Sequence, residues 1–214
     1  MRKVLNLGLS SFYLSSSDHV VHNPIIAINS LPIDERVFEN LEGNEIFVIT
    51  SKSTVTQFLI PYKDKISLDS LMISIGSKTT EAILKSGYKV TYQASNSTQE
   101  GMIELLKLVQ LKNKKIILPR SNLARKVIDA YLIDQKIPFE TIDCYRTQFN
   151  PQHVKSNLNE FDALLFTSPS TVKFFFDFYT EIPSFLLFLV IGDITYRELI
   201  KSKNLKNKIE FINK

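Results

Sequence analysis

The sequence predicts an α/β protein built from two related lobes, each a parallel sheet with crossover helices. Three observations carry this. Short apolar, β-rich runs alternate with helix-like segments along the chain. Some of these runs, such as residues 163–166, are continuously apolar, as strands covered on both faces must be. Finally, Phe47-Val-Ile-Thr50-Ser51-Lys52-Ser53-Thr54-Val55 is matched by Leu164-Leu-Phe-Thr167-Ser168-Pro169-Ser170-Thr171-Val172, an apolar strand followed by Thr-Ser-x-Ser-Thr-Val and a helix.

The repeat has a second part. Ile75-Gly76-Ser77-Lys78-Thr79 follows Thr50 at a spacing of 26, and Ile191-Gly192-Asp193-Ile194-Thr195 follows Thr167 at a spacing of 25. Two signatures in the same order at nearly the same spacing mark two copies of one lobe. Their separation of 117 residues is far too long for a solenoid repeat.

In chain order the predicted strands are 4–9, 25–28, 46–49, 72–75, 89–92, 115–118, 141–145, 163–166, 188–191 and 209–212. Three helices carry their own punctuation. Ser97 and Glu100 stand three apart before an apolar stripe, the pattern of a capping box. Gly87 closes a helix over 81–86, where a left-handed residue is favoured. Apolar positions 127, 128, 131 and 132 form one face of a helix over 124–135.

Composition narrows the function classes. At 214 residues, 44% hydrophobic and 22% charged, the chain has the balance of a globular protein with room for two cores. Cys144 is the single cysteine, so an intrachain disulfide is excluded, and a reducing, cytoplasmic setting is expected. The longest apolar run, 185–191, is far short of a membrane span. The net charge of +4 comes from scattered Lys and Arg, with one compact group at 112–115 that reads as a solvated turn. A nucleic-acid partner is not expected. A small polyanion needs only a few placed donors, and a mild positive balance suits it.

The repeated loops suit such a ligand. Ligands of open α/β sheets sit outside the carboxyl ends of the strands, where helix N-termini offer free N–H groups. Ser51, Ser53, Ser168 and Ser170 add hydroxyls, and Gly76 and Gly192 allow close backbone approach. The plainer alternative is that these residues only cap their helices. Neither a P-loop nor a Gly-x-Gly-x-x-Gly turn is present. His19 and His22 lack the Cys or carboxylate company of a zinc site, so no metal is expected, and Cys144 reads as strand packing.

Several motifs together resemble the uroporphyrinogen-III synthase family. Phe166-Thr-Ser-Pro-Ser-Thr-Val172 is similar to the family's Phe-Thr-Ser-Pro-Ser-x-Val, and Val190-Ile-Gly-Asp-Ile-Thr-Tyr-Arg197 to its Ile-Gly-Pro-Thr-Thr-Ala-Arg. Leu118-Pro-Arg-Ser-Asn-Leu-Ala-Arg125, Tyr145-Arg-Thr147 and Thr98-Gln-Glu-Gly-Met-Ile-Glu104 match further family segments in family order. The resemblance spans roughly residues 46–200, and the ordered set is what makes it specific.

The resemblance implies two flavodoxin-like lobes joined by a two-stranded linker, with a substrate cleft between them. One lobe would hold 1–26 and 149–214, the other 30–144, with linker strands near 24–29 and 145–149. It implies cyclisation of hydroxymethylbilane, a linear tetrapyrrole with eight carboxylates, to uroporphyrinogen III with inversion of ring D. The expected enzyme is a monomer that uses no cofactor and receives its substrate from hydroxymethylbilane synthase.

By the same resemblance, Tyr145 is the candidate acid for departure of the substrate hydroxyl, with cross-strand packing as the alternative. Ser51, Thr79, Ser168 and Thr195 are substrate contacts, followed by Gly76, Gly192, Asn122 and Ser170. Arg120 is either a bidentate partner for a substrate carboxylate or an exposed cap or surface ion pair.

The chain departs from the family in four places. The segment after the first strand is shortened, Lys52 replaces a common proline, Asp193-Ile194 replaces Pro-Thr, and little follows Ile212. A non-catalytic two-lobed sensor for a polyanion is therefore the competing expectation.

Overall fold

The computed structural model describes residues 1–202 and 205–212. Among them the strands are β1 (Arg2–Asn6), β2 (Asp18–His22), β3 (Ile26–Ser30), β4 (Ile46–Ile49), β5 (Leu71–Ser74), β6 (Tyr92–Gln93), β7 (Ile116–Ser121), β8 (Phe139–Phe149), β9 (Ala163–Phe166), β10 (Leu187–Val190) and β11 (Ile209–Phe211). The helices are α1 (Arg36–Glu39), α2 (Lys52–Thr54), α3 (Ser77–Lys85), α4 (Gln99–Leu108), α5 (Val127–Asp134), α6 (Pro169–Phe178) and α7 (Asp193–Leu199).

The chain divides into two compact units, Met1–Ala27 with Thr147–Lys214, and Ile28–Arg146. The boundary falls inside β3 and inside β8, which are neighbours in one sheet.

The first unit holds the sheet β11-β10-β9-β1-β2, parallel throughout. One face packs Leu5, Leu164, Phe166, Phe188 and Val190 against Val172, Phe175 and Tyr179 of α6 and its end and Leu199 of α7. The opposite face carries Val4, Ala163, Leu165, Leu189 and Ile191. No helix joins β1 to β2; Phe12 and Leu14 of the intervening loop pack on that face instead. The serine-rich run 15–17 explains why: it supplies polar turn residues where an amphipathic helix would need an apolar stripe.

The second unit holds β3-β8-β7-β4-β5-β6, with β4, β5, β6, β7 and β8 parallel. Its two faces are separate clusters. One gathers Phe47, Ile49, Phe58, Met72, Ile83 and Ile117; the other gathers Ile46, Val48, Met102, Leu106, Ile128 and Leu132. Alternation along β4 therefore feeds both cores, which is why the strand reads as continuously apolar.

Several sequence expectations shift. β2 has no counterpart among the predicted strands, because Asp-His-Val-Val-His lacks an apolar run. The strand expected over 89–92 shrinks to two residues, and the one expected over 141–145 extends to eleven. The cap of α4 is Thr98 rather than Ser97: its hydroxyl accepts from the Gly101 N–H, and Glu100 pairs with Arg125 rather than closing a box with Ser97. Gly87 does follow the end of α3 in the left-handed region, at φ +94°.

Candidate active site

In the second unit the loop leaving β4 turns directly into α2. Ser51 is its N-cap: its backbone is extended and its Oγ accepts from the Thr54 N–H at 3.0 Å. The same Oγ lies 2.9 Å from the Thr54 hydroxyl and 2.9 Å from the Tyr145 hydroxyl. Three hydroxyls thus meet at the carboxyl end of β4. The helix then widens into a π-helical turn over Val55–Leu59, a feature often found at functional sites.

Tyr145 reaches this cluster through an irregularity in β8. It belongs to the apolar cluster that includes Ile142 and Cys144, and only 6% of the residue is exposed. Burial pushes its phenol above the ordinary tyrosine value, outweighing the hydrogen bonds from Ser51 and Thr54 that pull the other way. The group is a neutral phenol at physiological pH.

The β5–α3 loop places Gly76 at the N-cap of α3. Its backbone is extended and space is tight: a Cβ would stand 2.0 Å from the Ser97 Oγ, so the Ser97 side chain would have to shift. Thr79, on the first turn, is buried at 5% exposure. Asn122, just beyond β7, is exposed and its N–H donates to the Tyr145 carbonyl at 3.0 Å.

Arg120 is not free for a ligand carboxylate. Its Nη1 donates to both oxygens of Asp129 at 2.7 Å, and its Nε to Asp143 at 3.3 Å. The pair with Asp129 is nearly buried, at 13% and 12% exposure, so Arg120 is neither an exposed cap nor part of a surface ion pair.

In the first unit the repeat recurs with the same chemistry. Ser168 caps α6 in a reciprocal capping box with Thr171, with Pro169 at the first helical position. Gly192 caps α7 at φ +80°, the left-handed region that favours glycine, with open space where a Cβ would stand. Thr195 is buried at 3% exposure, Asp193 is exposed, and Ser170 is half-buried. Among the described residues the Ser170 hydroxyl has no hydrogen-bond partner. Beside this loop the β1 end approaches closely, since a Cβ on Gly8 would meet the Thr167 Oγ1 at 2.4 Å.

Within the second unit the structure therefore joins Ser51, Tyr145 and Asn122, whereas Thr79 is buried apart from their hydrogen bonds. In the first unit it groups Ser168 and Ser170 on one helix start and Gly192 and Thr195 on another. Thr54, Ser97, Asp129 and Asp143 were not singled out from sequence as site residues. Thr54 was legible in principle: it is the repeat partner of Thr171, and both are fully buried and bonded to their cap serines. Among the described residues no group of three or more His, Cys, Asp or Glu is arranged to hold a metal ion. No helix among them is long and apolar enough to cross a membrane.

The two serines differ in what they contribute to the fold. Ser168→Ala should cost about 1 kcal/mol of stability through the lost cap. Ser170→Ala should leave stability within about 0.5 kcal/mol. Urea denaturation of both variants checks this.

A profile of the family described as "Uroporphyrinogen-III synthase HemD" matches residues 16–210. A protein of Methanothermobacter thermautotrophicus named "Putative uroporphyrinogen-III synthase" is 26% identical over 172 residues, which is 72% of this chain and 68% of that one. The fold is similar to that of a mutant uroporphyrinogen III synthase from the extremely thermophilic bacterium Thermus thermophilus, with TM-score 0.67 and 14% identity over 100% of this chain and 93% of that one. It is also similar to uroporphyrinogen-III synthetase from Helicobacter pylori, with TM-score 0.68 and 18% identity over 98% and 92%.

Proposed function

This chain belongs to the uroporphyrinogen-III synthase family, and from that membership we propose that it cyclises hydroxymethylbilane to uroporphyrinogen III with inversion of ring D. Tyr145 is the proton donor in this reading. Its hydroxyl protonates the departing hydroxyl of the substrate, water leaves, and an azafulvene cation remains. The cation closes through a spirocyclic intermediate with ring D turned over. The proton released at ring closure returns to the Tyr145 oxygen, so the net change is one water lost.

The observation that carries this reading, beside the family match, is the Ser51–Thr54–Tyr145 hydroxyl cluster at the carboxyl end of β4. A phenol held neutral by burial and oriented by a fixed neighbour is suited to general-acid work. Binding a substrate with eight carboxylates then falls to hydroxyls and helix N-termini, which stabilise negative charge without fixed cations. Ser51, Ser168 and Ser170 stand at such termini, and Gly76 and Gly192 open the backbone there. Thr79, Thr195 and Asn122 complete the proposed contacts.

The two compact units serve as the two lobes of the family fold, with β3 and β8 as linker strands. The enzyme is proposed to act as a cytoplasmic monomer without a cofactor, on hydroxymethylbilane handed over by the synthase that makes it.

The test is to add the purified protein to freshly made hydroxymethylbilane, oxidise the products and separate the porphyrin isomers. A dominant type III isomer is expected. Type I alone, the product of unassisted ring closure, would overturn the catalytic reading and leave a binding homologue.

A further inference from the structure

We infer that Arg120, with Asp129 and Asp143, is a clamp that holds the bulge in β8 and thereby aims the Tyr145 hydroxyl at Ser51. Arg120 is then a positioning residue and not a substrate contact. The inference rests on the reading of Tyr145 as proton donor.

Strand alternation supplies the argument. Along β8, Ile142 and Cys144 are buried while Thr141 and Asp143 are exposed. Strict alternation would turn Tyr145 to the face of Asp143, away from Ser51. The pairing with β7 shows why it does not. Arg120 is opposite Asp143 and Ser121 is opposite Tyr145, so Cys144 is one extra residue. This bulge keeps Cys144 and Tyr145 in succession in the same apolar cluster. Bulges are uncommon between parallel strands, and they are a recognised way to re-aim a side chain.

The ties across the bulge converge on residue 120 and its neighbours. Before the extra residue, the Asp143 carboxylate accepts from the Arg120 Nε. At the extra residue, the Cys144 thiol donates to the Arg120 carbonyl at 3.3 Å. After it, the Tyr145 carbonyl accepts from the Asn122 N–H. Asp129 of α5 fixes the guanidinium from the other side, with both side chains of that pair nearly buried at 13% and 12% exposure. One guanidinium facing two carboxylates leaves no positive charge to attract a third, so a substrate carboxylate gains nothing by approaching it.

The experiment is a double-mutant cycle with an independent spectroscopic readout. Arg120→Gln and Asp143→Asn are each made alone and with Tyr145→Phe, and turnover to the type III product is measured. Asp143 is 48% exposed, so its variant tests the clamp without stranding a buried charge. Each clamp variant should lower kcat by about 10- to 100-fold with KM little changed, the scale of a small misplacement of a reacting group. In the Tyr145→Phe background each should add less than about twofold, because the group being positioned is gone.

A raised KM at unchanged kcat would make Arg120 a carboxylate contact and overturn the inference. So would effects that multiply in the double variants. In parallel, the protein is labelled with carbon-13 at the tyrosine ζ position, and the Tyr145 resonance is identified by its loss in Tyr145→Phe. It should move in both clamp variants, and an unmoved resonance would overturn the clamp. If Tyr145→Phe itself leaves turnover unchanged, the proton-donor reading fails, and the resonance alone decides whether the clamp positions Tyr145.

Discussion

Tyr145→Phe is expected to lower turnover to the type III product by about 10²- to 10⁴-fold, the range a positioned general acid contributes. KM should change little, because the ring and its packing remain and only the hydroxyl is lost. The fold should lose about 0.5–1.5 kcal/mol, the net worth of the hydrogen bond to Ser51.

The pH dependence has a definite sign. An acid works in its protonated form, and burial raises the pKa of this phenol. The tyrosine-dependent part of turnover should therefore hold through neutral pH and decline only as pH rises above the ordinary tyrosine value of about 10. Rate profiles of the wild type and Tyr145→Phe, with the products separated by isomer, check this. A variant within twofold of wild type would transfer the proton step to another donor.

Phe175→Ala should destabilise the first unit by about 3–5 kcal/mol, the usual cost of emptying a buried aromatic site. Phe175 has no exposed surface. Its ring stands 5.2 Å from that of Phe166, 4.9 Å from Tyr179 and 6.1 Å from Phe188, so it ties α6 to two central strands. Removing it opens a void that three rings cannot easily close, and α6 is the helix whose start presents Ser168 and Ser170. Urea denaturation should show a lower midpoint at unchanged slope. Leu108→Ala is the control: at 85% exposure its loss should cost no more than about 0.5 kcal/mol. Equal effects from the two substitutions would contradict the assigned core.

Much of the fold was legible because it depends on local pattern. The duplicated Thr-Ser-x-Ser-Thr-Val segments announced two strand-to-helix turns, and both occur, each with its serine as cap. Continuous apolar runs at 46–49 and 163–166 marked central parallel strands, whose side chains are buried on both faces. What escaped were elements with little local signal. β2 is an edge strand whose outer residues remain polar, so nothing in Asp-His-Val-Val-His demands a sheet. Its pairing with β1 supplies the reason to extend.

The site divides along the same line. The sequence by itself determined which residue types stand at the strand ends, because repeat spacing and helix-cap chemistry are short-range properties. It also placed Tyr145 and Arg120 among the candidates. Only the tertiary structure decided what those two touch. A one-residue register shift between β7 and β8 reverses the face on which Tyr145 lies, and brings its hydroxyl to a serine 94 positions away. The fate of Arg120 turned on Asp129 and Asp143, which come within reach only when α5 and β8 pack beside β7. Hydrogen bonds and ion pairs act over a few ångströms in space, and sequence separation says nothing about which of them will form.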